Sequence, residues 1–128
     1  MTPLTLLILP DTFTVCRLTA SMPAPSWVTD GDFVSITRTT DELSIVCRQV
    51  DVPDGIRCER DWRCLKVAGP LDFALTGILA SLATPLADAG ISIFAISTFD
   101  TDYVMVKEHN LQQAITVLQN VGHCISNC

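Results

Sequence analysis

Two short segments of this 128-residue chain gather the side chains that could hold a small polar ligand. The first is Val67-Ala68-Gly69-Pro70-Leu71-Asp72-Phe73. A glycine lets a ligand come close to the backbone, and a helix starting just beyond it would turn free N–H groups toward an anion such as a carboxylate. The plainer alternative is that Gly69-Pro70 only makes a turn and starts that helix. The second segment is Ile96-Ser97-Thr98-Phe99-Asp100-Thr101-Asp102-Tyr103, which brings hydroxyls, two carboxylates and an aromatic face to a connection between strands. Hydroxyls and backbone groups can hold an α-amino and an α-carboxyl group, and a carboxylate can pair with an ammonium or guanidinium. Here the alternative is a solvated hairpin, because Asp and Thr are ordinary turn residues.

The remaining reactive side chains do not assemble into a catalytic or metal-binding pattern. The six cysteines, Cys16, Cys47, Cys58, Cys64, Cys124 and Cys128, contain no C-x-x-C pair, and neither His109 nor His123 is spaced as a fellow zinc ligand. Cys16 and Cys47 fall inside predicted strands, where a thiol acts as a small hydrophobe, so reduced thiols are expected. His123-Cys124 places a base beside a nucleophile in sequence, but chain neighbours rarely reach the required geometry. No catalytic residue, metal site or cofactor is therefore expected, and the chain does not read as an enzyme.

Composition narrows the partners. The net charge is −6 and the Lys and Arg residues number only eight. Nucleic acid and anionic membranes both reward clustered cations, so neither is an expected partner. The apolar run Leu4–Leu9 is too short for a membrane span or a leader's apolar core. No basic residue precedes it, and Pro10-Asp11 ends it. It reads as a first strand in a cytoplasmic protein.

These side chains need elements to position them. After Leu4–Leu9 and a turn at Pro10-Asp11, a second strand shows period-two alternation through Phe13 and Val15. Thr29-Asp30-Gly31-Asp32 is turn chemistry, and Phe33–Arg38 with Leu43–Arg48 forms a hairpin around Thr39-Thr40-Asp41-Glu42. The turn Val52-Pro53-Asp54-Gly55 marks a seam between a portion over 1–60 and a domain over 61–128. Trp62–Val67 is a strand. Apolar residues at helical spacing then predict a helix over Leu71–Ala89, with Asp72 in its first turn, Pro85 removing one backbone hydrogen bond and Gly90 stopping it. Strands over Ile91–Ile96 and Tyr103–Val106, a helix over Leu111–Val121 behind Asn110, and a last strand over His123–Ile125 complete the chain. The order β-α-β-β-α-β predicts an α+β, ferredoxin-like unit with both helices on one face of a four-stranded antiparallel sheet. A mainly β first half accompanies it.

The run from Gly69-Pro70-Leu71-Asp72 through Gly90-Ile91-Ser92-Ile93-Phe94-Ala95-Ile96-Ser97-Thr98-Phe99-Asp100-Thr101-Asp102-Tyr103-Val104 resembles the ACT-domain family. Within that family it is similar to aspartate-kinase regulatory domains and to CASTOR-type arginine sensors. The resemblance covers about Asp61 to Val121, and the string G-I-S-I-x-x-I-S-T-F carries most of it. Small bacterial members pair a reduced ACT-like N-terminal portion with a full ACT domain, which implies that division for 1–60 and 61–128. The resemblance further implies association between modules and binding of a free amino acid where two of them meet. Its ligand-contacting positions fall on Gly69, Pro70, Leu71 and Asp72 in one loop and on Ser97, Thr98, Phe99 and Asp102 in the facing turn. Asp72 and Asp102 would then favour a cationic amino acid such as arginine or lysine, with its carboxylate received by the Gly69–Leu71 amides. A homodimer is expected. The competing reading is a structural or protein-interaction module that keeps the fold without a ligand, its pocket plugged by Phe99 or Phe73.

Overall fold

The computed structural model describes residues 3–28, 31–72 and 75–127. Among the described residues the elements, in chain order, are β1 (Thr5–Leu18), β2 (Ser35–Arg38), β3 (Leu43–Arg48), β4 (Arg57–Val67), α1 (Ile78–Asp88), β5 (Ile93–Ser97), β6 (Asp102–Lys107), α2 (Leu111–Asn120) and β7 (Cys124–Asn127). They form two compact units, one of Met1–Pro10 with Arg63–Cys128 and the other of Asp11–Trp62. β1 and β4 each give one stretch to either unit.

In the first unit the strands lie in the order β7-β1-β4-β6-β5. β5 and β6 pair antiparallel, from Ile93 opposite Val106 to Ser97 opposite Asp102. The fold is α+β and ferredoxin-like, with one correction to the expected sheet of four antiparallel strands. The stretch of β1 beginning at Thr5 is inserted between β7 and β4, and β7 runs parallel to it, Thr5 opposite Cys124 and Ile8 opposite Asn127. Burial explains the insertion. An inner strand has both hydrogen-bonding edges satisfied and can bury its apolar side chains, which suits an unbroken apolar run. Leu4 and Leu6 are buried in one cluster with Leu65 and Val67 of β4, Val104 and Val106 of β6, and both helices. The helices present i, i+4 pairs to it, Leu82 and Leu86 from α1 and Ala114 and Leu118 from α2.

α1 starts at Ile78, not at Leu71. Gly77 in front of it has φ 75°, a left-handed conformation from which a right-handed helix cannot be extended backward. Leu71 and Leu75 have helical spacing but lie in the preceding loop, where the Leu75 N–H donates to the Asp72 carbonyl at 3.0 Å. Phe73, which the sequence offers as a plug, lies outside the described residues. Pro85 does sit inside the helix and cannot donate to the Ser81 carbonyl four residues back. The replacement donor comes from outside. Buried His123 accepts the Leu4 N–H at its Nδ1 (3.0 Å), which places its own hydrogen on Nε2, 3.2 Å from the Ser81 carbonyl. One ring thus ties the first strand to the helix and fills the gap that proline leaves.

In the second unit the order is β2-β3-β1-β4. The β2–β3 hairpin closes as expected, with Thr39 N–H donating to the Glu42 carbonyl (2.9 Å) and Thr39 Oγ1 accepting from the N–H groups of Asp41 and Glu42. The neighbouring turn at Thr29 and Asp30 lies outside the described residues. Pro10-Asp11 does not turn: β1 runs through it as one 14-residue strand. Pro10 falls between the stretch paired to β7 and the stretch paired to β3, which starts at Phe13 opposite Arg48. A proline there forfeits only its own donor. Cys16, Leu43, Ile45 and Cys47 form the centre of this unit's core, and Phe13 meets Phe33 edge to face at 6.0 Å.

Candidate functional site

The loop after β4 and the turn between β5 and β6 are stitched together before any ligand is considered. Leu71 N–H donates to the Asp100 carbonyl at 2.7 Å. The buried Thr101 hydroxyl donates to the Val67 carbonyl at 2.6 Å. The turn closes on itself through Thr98 N–H to the Thr101 carbonyl (2.8 Å), with Thr98 Oγ1 donating to the same carbonyl at 3.1 Å. Gly69 permits this contact. A Cβ at that position would stand 3.1 Å from the Asp100 carbonyl oxygen and 3.2 Å from Thr101 Cβ, and backbone on one side leaves little room to yield. The Gly69-Pro70 peptide is cis.

Between these segments lies a cleft of about 190 Å³, walled on one side by Leu71, Asp72, Leu75 and Ile78 and on the other by Ser97 through Asp102. Asp72, Asp100 and Asp102 line it together with Ser97, Thr98 and Thr101, the last with its hydroxyl engaged by the Val67 carbonyl. Ser97 Oγ donates to Asp102 Oδ1 at 2.6 Å, which fixes that carboxylate at the base of the hairpin. Phe99 stands at the cleft with 81% of its surface exposed, so it does not fill it. The arrangement presents acceptor oxygens on a preformed frame. Among the described residues there is no cluster of His, Cys, Asp or Glu that could hold a metal ion.

Of the residues picked from sequence, Leu71, Asp72, Ser97, Thr98, Phe99 and Asp102 line this cleft, whereas Gly69 and Pro70 are not among its lining residues. The expected carboxylate capture by the Gly69–Leu71 amides is corrected. Pro70 has no N–H, the Leu71 N–H is already engaged by Asp100, and the helix begins at Ile78. Asp72 accordingly lies in the loop ahead of the helix and not in its first turn. Asp100, Thr101, Leu75 and Ile78 also line the cleft and are not among the positions expected from sequence. Asp100 shares the dense polar run that singled out its neighbours. Leu75 and Ile78 belong to the helical period over Leu71–Ala89, which carries no sign of a ligand.

Comparison with known proteins identifies the family. The sequence model of the ACT-domain family matches residues 57–120, and a second model, describing an N-terminal domain, matches residues 11–55. The human protein named cytosolic arginine sensor for mTORC1 subunit 1 is 46% identical over 59 residues, which is 45% of this chain and 18% of that protein. The chain thus matches under a fifth of the length of that curated relative. The crystal structure of protein Atu0741 from Agrobacterium tumefaciens is 41% identical, with a TM-score of 0.94 over 100% of this chain and 96% of that one. The regulatory subunit of aspartate kinase from Thermus flavus superposes with a TM-score of 0.61 over 94% and 97% of the two chains. At 10% identity that likeness is one of fold alone.

Proposed function

The chain belongs to the ACT-domain family, and from that premise we propose that it is a regulatory protein that binds a free, cationic amino acid in the cleft between Leu71–Ile78 and Ser97–Asp102. The observation that carries the proposal is the convergence of Asp72, Asp100 and Asp102 with Ser97 and Thr98 on one preformed cleft. Carboxylates held near one another repel, and a guanidinium or ammonium placed among them relieves the repulsion. Each charge-assisted hydrogen bond contributes on the order of 1.5–3 kcal/mol. A micromolar complex needs about 8 kcal/mol, so two such bonds and burial of the ligand's stem on Leu71, Leu75 and Ile78 suffice. With the Gly69–Leu71 amides unsuitable, the α-carboxylate would turn toward Ile78 at the start of α1, where no side chain caps the helix. The reading includes a homodimer in which a second copy closes over the cleft, and a cytoplasmic location. The name of the human relative, a cytosolic arginine sensor, supports the ligand class and the location.

A second reading, an interaction module with no ligand, draws on the exposed Phe99 and Leu75 beside the same cleft. Thermal shift against individual free amino acids separates the two. A ligand at a hundred times its dissociation constant adds about 2.7 kcal/mol of stability. Arginine or lysine should raise the melting temperature, and Asp102→Ala should lose most of the binding seen by calorimetry while the melting of the empty protein changes little. If no amino acid binds at millimolar concentration, the ligand reading fails and the interaction reading replaces it.

A further inference from the structure

We propose that Cys16 and Cys58 are a modification site: a dithiol that closes to an intramolecular disulfide when it meets a low-molecular-weight disulfide such as oxidised glutathione. The two sulfurs are 3.1 Å apart, one on β1 and the other on the neighbouring β4. A disulfide requires about 2.05 Å, so roughly 1 Å of side-chain movement brings the sulfurs to bonding distance. Access differs in degree. Cys16 and Cys47 are buried in the core of the unit, whereas Cys58 is half-buried, and Cys16 and Cys58 both border a cleft of about 220 Å³ that Arg17, Arg57, Glu42 and Glu59 also line. Burial and the contact with Cys58 push the Cys16 thiol well up, and burial pushes Cys47 up to about 11. Neither buried thiol is therefore the first to react, which leaves Cys58 as the point of entry.

The chemistry balances in two exchanges. The Cys58 thiolate attacks one sulfur of the small disulfide. The S–S bond breaks, one thiolate leaves and takes the proton released by Cys58, and a mixed disulfide stands on Cys58. The Cys16 thiol then gives its proton to the departing sulfur and attacks Cys58 Sγ. The second small thiol leaves and the protein disulfide is complete. Two protein thiols are oxidised and one small disulfide is reduced to two thiols. The product joins β1 to β4 covalently within the unit that contains the second family match, residues 11–55.

The test uses the full chain carrying Cys124→Ser and Cys128→Ser, which removes the two C-terminal thiols from the reaction. The protein is incubated with oxidised glutathione under native conditions, alkylated after unfolding, digested without reductant and read by mass spectrometry. A peptide pair joining Cys16 to Cys58, a loss of two hydrogens from the intact protein, and alkylation retained at Cys47 and Cys64 are expected. Dithiothreitol should reverse all three. With Cys16→Ser, glutathione should remain on Cys58, because no second thiol resolves the adduct. Full alkylation of every thiol in the parent protein, a Cys16–Cys47 pair instead, or a lasting glutathione adduct on Cys58 while Cys16 is present would each overturn the assignment.

Discussion

Cys64 shows how one buried side chain writes a pH dependence into the whole fold. It is fully buried in β4, and desolvation of the thiolate pushes its thiol up to about 12 from an ordinary 9.0. Cys47 moves up to about 11 for the same reason. In the unfolded chain these thiols ionise near the ordinary value, so above that pH the unfolded state sheds protons that the folded state keeps. Stability from neutral burial is therefore intact below about pH 9 and is lost as pH rises through the folded values. Each such thiol adds a slope of about 1.4 kcal/mol per pH unit within its window. Melting temperature followed from pH 7 to 11 should hold level and then fall. Cys64→Val should make the fall shallower. An unchanged profile in that variant would show that Cys64 is not a source of the slope.

Pro85 and His123 make a case at the level of the element, because a defect in one helix is repaired by a residue from the far end of the chain. The Ser81 carbonyl loses its helical donor at Pro85 and receives His123 Nε2–H, while His123 Nδ1 takes the Leu4 N–H. His123→Leu leaves the buried Leu4 N–H without its acceptor, at a cost of about 1–3 kcal/mol, and the half-buried Ser81 carbonyl without its donor at a smaller cost. Pro85→Ala restores an N–H to the Ser81 carbonyl. In the His123→Leu background it should recover about 1 kcal/mol, while alone it should do little, and a double-mutant cycle by urea unfolding measures the coupling. Additive effects would separate the two residues. The sequence announced that Pro85 removes a bond but could not name the donor, since the link joins positions 42 residues apart. The elements themselves were legible wherever period and stop agreed, as at Gly90 and the Thr39–Glu42 turn. They were not legible where a three-dimensional partner decided. Pro10 has the form of a break but lies within β1, between a stretch paired to β7 and a stretch paired to β3, and Leu71 and Leu75 keep helical spacing in a loop that Gly77 cuts off from α1.

On the scale of the whole molecule, charge and exposed apolar surface act against each other. A chain of net charge −6 repels its copies, yet Phe99 and Leu75 stay exposed beside a cleft that already carries three carboxylates. The polar side of that cleft was readable from sequence because hydroxyls and carboxylates crowd into residues 97–102. Its apolar side was not, since Leu75 and Ile78 look like core until the helix start is known. Exposed aromatic side chains contribute to association when a second surface buries them, and a two-fold pair brings each Phe99 to the same neighbourhood on its partner. A homodimer formed this way should strengthen as salt screens the repulsion between the acidic copies and as a bound cationic amino acid offsets the cleft's own charge. Light scattering at tens of micromolar should give a dimer mass, more completely with arginine and in moderate salt. Phe99→Glu should give a monomer, because it adds charge where apolar surface is to be buried. Asp102→Ala should lose the ligand yet keep the dimer. A Phe99→Glu protein that remains dimeric would place the interface elsewhere, and a parent protein that stays monomeric with and without ligand would remove the second copy from the cleft.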